Sequence, residues 1–201
     1  MDLQDENRMV RTGNKDFRRY TAGIFEHEDL QLLKGLSNHG TVDLYDHSVN
    51  VSYLSMQVCS KLGLDARTAA RAGLLHDFFL YDWRKGEGPR WHGFRHGAIS
   101  LRESKRRFDL SPKEEKIILR HMWPLIPIPP SSPEGLIVSM VDKYCALNEI
   151  FNVEGPETDH NCLPGGSDAK GKGMKNVLIC NLVKTRIIGS RLIGLVYVPS
   201  E

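Results

Sequence analysis

An apolar run that ends in a histidine and an acid constrains this chain more than any other feature. The run Ala72-Gly73-Leu74-Leu75 leads directly into His76 and Asp77. An aspartate is almost never fully buried unless it is paired or bound to a cation. Asp142 poses the same problem, because it follows Val141 on the apolar face of another predicted helix. The two carboxylates therefore predict a cation in the interior of the fold.

Helix start and stop signals divide the middle of the chain into a series of helices. Asp65 is a good N-cap for an alanine-rich helix. Residues 111–114 form a capping box with proline at the first helical position. A further helix is predicted over 97–108, and Ser132-Pro133 opens the last one. The pattern from residue 24 to residue 151 is therefore mostly helical.

Composition and charge exclude several classes of protein. The chain has 201 residues, which predicts one domain or one domain with an appendage. With 27 basic and 25 acidic residues the net charge is +2, so neither nucleic acid nor a membrane surface is expected as a partner. No uncharged apolar run is long enough for a transmembrane helix. The four cysteines are scattered without a CxxC pair, which predicts reduced thiols and a cytoplasmic location.

The sequence predicts three parts. Residues 1–22 form a polar lead-in with no apolar core of a secretory signal. Residues 23–152 form the main domain. Residues 153–201 are predicted to be a flexible linker and a short apolar tail to which no role is assigned, because 155–176 holds five glycines and two prolines. Three basic residues interrupt the apolar segment at 177–198, which argues against a membrane span.

Imidazoles on other helices are natural neighbours for the two buried carboxylates. The ordered set of candidate metal ligands is His47, His76, Asp77, His96, His121 and Asp142. Successive members are 29, 1, 19, 25 and 21 residues apart, so most lie on different predicted helices. Nitrogen and oxygen ligands without a thiolate suit Fe, Mn, Zn, Co or Ni and leave the metal open.

This ordered set resembles the HD-domain superfamily of metal-dependent phosphohydrolases. The resemblance covers roughly residues 41–151 and rests on the segments YDHSVNVS, AGLLHDFFLYDW, FRHGAIS, ILRHMWPL and SMVDKYCAL. It implies an all-α HD-domain helical bundle with metal in its middle. The implied reaction is hydrolysis of a phosphoester or phosphoanhydride of a small, nucleotide-like substrate by a metal-activated water. Catalytic roles then fall to Asp77 and His76.

Two further histidines are similar to those of the binuclear branches of this superfamily. His96-Gly97 and Arg120-His121 are closest to the bacterial dinucleoside-tetraphosphate hydrolases. The Gly-Tyr-Pro element of the cyclic-dinucleotide phosphodiesterases is absent from the sequence. The resemblance therefore implies two divalent ions, with Asp77 bridging them. His92 is the alternative to His96, and we prefer His96 because it directly precedes the predicted helix.

The sequence departs from the superfamily at the position of a phosphate-binding lysine. Many members have a lysine three residues after the aspartate of the His-Asp pair, where this chain has Leu80. Candidate substitutes for substrate binding are Lys85, Arg90, Arg95 and Arg120. Trp91 and Trp123 are candidates for stacking on a base. The departure also motivates an alternative function, a catalytically weak nucleotide-binding or regulatory module that retains the metal site.

Overall fold

Helices account for the regular structure of the residues that the structure describes. A computed structural model describes residues 13–36, 42–82 and 85–150, all within one unit, Met1–Asp159. Its helices are α1 (Lys15–Thr21), α2 (Glu28–Gln31), α3 (Leu44–Lys61), α4 (Ala66–Leu75), α5 (His92–Lys105), α6 (Pro112–Arg120) and α7 (Pro133–Ile150). No strand occurs in these stretches, which confirms the predicted all-α class. The predicted linker and tail at 153–201 lie outside the described residues.

Helices α3 and α4 pack closely because small residues line their contact. A Cβ atom on Gly73 would lie 2.9 Å from the Cα of Ser52. The Ser52 hydroxyl donates to the carbonyl of Ala70 at 2.6 Å. This contact brings the beginning of α3 beside the end of α4, so that the rings of His47 and His76 have centroids 5.3 Å apart.

Helices α5 and α6 meet at a second close contact. A Cβ atom on Gly97 would lie 3.0 Å from the carbonyl oxygen of Leu119, so the backbones approach closely beside His96 and His121. Helix α5 begins at His92 and ends at Lys105, whereas the sequence predicted 97–108, and this prediction was wrong at both ends. The start was missed because Trp91, at the N-cap, has a φ of 64° and makes no side-chain capping hydrogen bond.

Two predicted caps are confirmed and one of them joins a buried ion pair. The Asp65 side chain accepts from the Thr68 N–H at 3.0 Å. Ser111 and Glu114 form the predicted capping box. Glu114 also pairs with the buried Arg71, whose guanidinium donates to the carbonyl of Asp109 at 2.7 Å. This junction fixes the beginning of α6 against α4.

The N-terminal helix contributes to the core. Phe17 of α1 is fully buried, and its ring lies edge-on to Phe25 and Tyr53 with centroid distances of 5.7 Å. Part of the segment predicted as a polar lead-in therefore packs with the main domain, while the predicted boundaries at residues 22 and 152 stay predictions. Within the described stretches no helix is long and apolar enough to cross a membrane.

Candidate metal centre

The six predicted metal ligands lie together in the interior. They come from five places in the chain, the first turn of α3, the end of α4, the first half of α5, the end of α6 and the middle of α7. None of them exposes more than 7% of its surface. The structure therefore brings together every residue of the predicted set.

One half of this cluster contains Asp142 Oδ1 and Asp77 Oδ2, together with the rings of His47 and His76. Asp142 Oδ1 lies 3.3 Å from His47 Nε2 and 3.6 Å from His76 Nε2. Asp77 Oδ2 lies 3.4 Å from His76 Nε2 and 4.0 Å from His47 Nε2. We call these four residues the first half-site.

The other oxygen of Asp77 faces a different pair of rings. Asp77 Oδ1 lies 3.2 Å from His96 Nε2 and 3.3 Å from His121 Nε2. The two Nε2 atoms are 2.9 Å apart. We call His96, His121 and Asp77 Oδ1 the second half-site. Asp77 thus belongs to both half-sites through different oxygens.

Hydrogen bonds at the far side of three rings set their tautomers. The Nδ1 atom of His76 lies 2.8 Å from the Gly73 carbonyl, and that of His121 lies 2.7 Å from the Ile118 carbonyl. A carbonyl only accepts, so each Nδ1–H donates, and each Nε2, which faces Asp77, is the nitrogen left to bind a metal ion. His47 Nδ1 is 2.8 Å from a carboxylate oxygen of Glu149. Such outer partners are typical of metal-bound histidines.

Buried polar atoms in the cluster fit a divalent ion. Asp77 Oδ1 and His76 Nε2 are buried and form no hydrogen bond with any of the residues described, although other polar atoms are near. Two ligands placed about 2.1 Å from one ion at a right angle are ~3 Å apart. The separations here run from 2.9 to 3.6 Å for all but one pair. Two groups of three residues that share His76 have the spacing of metal ligands, His47 with His76 and Asp142, and His76 with Asp77 and His121.

The cluster keeps its carboxylates ionised. Burial raises the pKa of Asp77, but the charges of His76 and His96 outweigh burial and hold the pKa well below its usual value. Burial also raises the pKa of Asp142, but the nearby imidazoles of His47 and His76 outweigh burial and hold the pKa well below its usual value. Burial lowers the pKa of His47, but bonds to Asp142 and Glu149 outweigh it and the pKa is raised. Metal ions would replace the protons on these rings.

Comparison with known proteins decides the family. The family model described as HD domain matches residues 44–147, about half of the chain. The chain belongs to the HD-domain family. Members of this family are generally metal-dependent phosphohydrolases that bind divalent metals, and the buried His and Asp cluster could hold such a metal.

Curated proteins named ribonuclease Y are similar to part of this chain. Ribonuclease Y of Clostridium perfringens is 44% identical over 57 residues, which are 28% of this chain and 11% of the relative. Ribonuclease Y of Clostridium tetani is 35% identical over 89 residues, 44% of this chain and 16% of the relative. The chain thus spans less than a fifth of the length of these relatives. No solved structure matches this chain significantly.

Three residues of α7 support the HD-domain cluster and were not predicted from the sequence. Glu149 binds the ring of His47. Ser139 Oγ donates to the His121 carbonyl at 2.6 Å, and Lys143 Nζ donates to the same oxygen at 2.6 Å. Their spacing was the available signal, because residues 139 and 143 are one turn apart and residues 142 and 149 are two turns apart on one helix.

The four predicted substrate-binding cations of the HD domain have different surroundings. Lys85 pairs with Asp82 at 3.2 Å and its side chain is 71% exposed. Arg120 donates to the Pro129 carbonyl at 3.3 Å. Arg90 and Arg95 are exposed. The assignment of these four residues to substrate stays a prediction.

His92 stacks on the ring of His96. It is the first residue of α5, whereas the predicted helix over 97–108 did not include it. Its ring stacks on His96 with centroids 4.9 Å apart, and its Nδ1 lies 2.9 Å from the Tyr81 hydroxyl. Burial lowers the pKa of His92 to about 4, so its ring is neutral at pH 7. The short distance from His96 to Asp77 favours His96 as the ligand.

Proposed function

We propose that this HD domain hydrolyses a phosphoester or phosphoanhydride bond of a small, nucleotide-like substrate with two divalent ions. The observation that carries the proposal is the placement of Asp77. Its two oxygens face separate sets of imidazoles, with Oδ2 near His76 at 3.4 Å and Oδ1 near His96 at 3.2 Å. A carboxylate in this position can bridge two ions, as the binuclear branches of the superfamily imply.

Each protein group then has a defined role. The first half-site would hold one ion through His47, His76, Asp142 and Asp77, and the second would hold another through His96, His121 and Asp77. When bound, divalent ions lower the pKa of water from about 15.7 to about 7 and neutralise charge on the phosphoryl group. The outer acceptors at Gly73, Ile118 and Glu149 fix the rings, so the Nε2 atoms need no reorientation when an ion binds.

Exposed aromatic rings at the start of α5, the helix that carries His96, support a nucleotide as the substrate. Trp91 is 71% exposed and Phe94 is 53% exposed, with ring centroids 6.3 Å apart. Trp91 directly precedes His92 and holds a left-handed backbone that is uncommon for a residue other than glycine. Stacking of a base on an aromatic ring contributes ~1–3 kcal/mol. Arg90 and Arg95 flank the rings and would attract phosphates.

A second candidate function is cleavage of RNA phosphodiester bonds. The names of the matched relatives favour it. The basic cluster at residues 102–107, at the C-terminal end of α5 and just beyond it, favours the small substrate instead. Its four cations pair with neighbouring acids: Arg102 and Arg106 with Glu103, Lys105 with Glu115, and Arg107 with Asp29 and Glu103.

Elemental analysis paired with a phosphate-release screen tests the proposal. The substrates are mononucleotides, dinucleoside polyphosphates and RNA oligonucleotides, each with Mn, Fe, Co, Ni and Zn. We expect two ions per chain and turnover of a small nucleotide. Asp77→Ala should lose both metal and activity, and His121→Ala should retain part of the metal with lower turnover. Asp109→Ala, which removes an exposed acid, is the matched control.

Each other outcome of the screen has a distinct meaning. Hydrolysis by Asp77→Ala at the wild-type rate would refute the metal-dependent mechanism. Turnover of RNA alone would assign the second candidate function. Metal-loaded protein that binds nucleotides but hydrolyses none of them with any ion would assign the regulatory module.

A further inference from the structure

Helix α7 contacts both half-sites of the cluster through neighbouring residues. Asp142 is a member of the first half-site. The next residue, Lys143, places its Nζ 2.9 Å from Asp142 Oδ2 and 2.6 Å from the carbonyl oxygen of His121, which belongs to the second half-site. The ammonium group therefore joins a ligand of one half-site to the backbone of a ligand of the other.

A second donor from α7 reaches the same carbonyl. Ser139 Oγ donates to the His121 oxygen at 2.6 Å and lies 3.1 Å from the carbonyl oxygen of Trp123. Ser139 is fully buried, and it lies one helical turn before Lys143. Two donors on one carbonyl oxygen use both of its lone pairs.

His121 depends on these contacts because of its place in the chain. It is the C-cap of α6, the residue after the last helical position. Its ring is fixed by the bond from Nδ1 to the Ile118 carbonyl at 2.7 Å, but that bond lies within its own helix end. The contacts from α7 are the ones that set the position of this helix end relative to Asp142. A proline-rich loop follows directly, from residue 124 to residue 130.

We propose that Ser139 and Lys143 are positioning residues that determine whether the domain binds a second ion. They hold the backbone of His121 so that its Nε2 reaches the second half-site, while the first half-site does not depend on them for its rings. The inference rests on the proposed function, since it presupposes two ions. It makes the helix that supplies Asp142 to the first ion also the support for the second.

Two explanations for Lys143 predict opposite changes in metal affinity when the lysine is removed. If the lysine acted only through its positive charge, its removal would relieve repulsion and both ions would bind more tightly. If it positions His121, its removal would weaken the second ion more than the first. Loss of an outer partner of a metal ligand typically costs 10- to 100-fold in metal affinity. The size and sign of the change therefore separate the two roles.

Titration of metal-stripped full-length protein with Co²⁺ tests the inference, with bound metal counted by elemental analysis and ligand geometry followed by visible absorption. We expect Ser139→Ala to weaken the second ion by about 10- to 100-fold and leave the first unchanged, and Lys143→Met to weaken the second ion by a similar factor and the first by less, because Lys143 also contacts Asp142. Lys143→Arg and Ser139→Thr should restore most of the second ion. Lys116→Met, an exposed lysine of α6, and Ser55→Ala, a buried serine of α3, are the controls and should bind two ions.

The outcomes distinguish this inference from the proposed function. If wild-type protein binds two ions and the Lys143 and Ser139 variants bind both as tightly or more tightly, the inference is wrong and the two-ion site stands. Equal weakening of both ions would also overturn it. If wild-type protein binds a single ion, the two-ion proposal fails and the inference fails with it. Circular dichroism of each variant shows whether the helices are retained.

Discussion

Two buried charged regions of this molecule are built in opposite ways. At the junction of α4 and α6 the carboxylate of Glu114 meets the guanidinium of Arg71, and each group has further hydrogen bonds. In the metal centre Asp77 meets imidazoles only, as far as the described residues go, and the rings of His76 and His121 already donate elsewhere. A buried acid with a permanent cation of its own stabilises the fold, whereas an acid without one creates a need for a cation from outside.

The largest expected effect is the stabilisation of the fold when a metal ion supplies the missing cation. Manganese at about 1,000 times its dissociation constant should stabilise the wild-type fold by ~4 kcal/mol, because the ion binds the native state alone. Asp77→Asn should abolish this stabilisation. Thermal unfolding with and without Mn²⁺ measures it, and the wild type should unfold about 10 °C higher with the ion. A metal-dependent shift of wild-type size in Asp77→Asn would contradict the contrast between the two regions.

Disrupting the ion pair between Arg71 and Glu114 should lower stability without changing the response to metal. Arg71→Met leaves the buried Glu114 without its cation, which should cost about 3 kcal/mol of stability in urea unfolding. The stabilisation by Mn²⁺ should stay as in the wild type. Arg67→Met, on the same helix but exposed, is the control and should change stability little. Loss of the Mn²⁺ effect in Arg71→Met would show that the two regions are not independent.

A smaller effect is expected where a carboxylate supports the metal centre from outside. Glu149→Gln keeps an acceptor for the ring of His47 but removes the negative charge. Metal affinity should fall by about 10- to 100-fold. Titration with Co²⁺ measures the change, and Glu28→Gln on the exposed surface of α2 should leave affinity unaltered. An unchanged affinity in Glu149→Gln would place this acid with the structural ones.

The smallest effect concerns another buried acid, Glu134. Burial raises its pKa, but the hydrogen bond from Lys113, hydrogen bonds from backbone amides and the charge of Lys113 together outweigh burial, and the pKa lies below the usual 4.5. Because the folded pKa is lowered, the stabilisation is present above pH 4.5 and is lost as the pH falls through the folded pKa. Glu134→Gln should therefore lower stability by about 1 kcal/mol at pH 7. Urea unfolding at descending pH should show this difference shrinking, and a constant difference would contradict it.

The sequence predicted the members of the cluster better than their supports. Asp77 and Asp142 stood out because an ionised group in an apolar run is costly, and this cost is visible without coordinates. Glu149 and Lys143 did not stand out, because charged residues near a helix end are common on surfaces. Their role depends on how α7 packs against α3 and α6, which no local pattern encodes.

Helix boundaries were likewise predicted correctly where a local sequence pattern determines them. The start of α6 was predicted correctly, since Ser111 and Glu114 satisfy each other's backbone groups locally. The start of α5 was missed, because Trp91 offers no capping oxygen. The predicted cations Lys85, Arg90 and Arg95 were chosen for their nearness along the chain to the His-Asp pair. Lys143, which contacts the cluster, is far from that pair in sequence and near it only in the fold.

The contact of Gly73 with Ser52 has a consequence for variation in this protein. A methyl group at position 73 would press on the backbone of α3 at 2.9 Å, and neither backbone can yield as a side chain can. Even alanine would wedge the two helices apart and draw the imidazoles of residues 47 and 76 away from each other. The spacing of the ligands thus depends on the absence of a side chain at position 73. A substitution there would impair the metal centre although all six ligand residues were unchanged in the sequence.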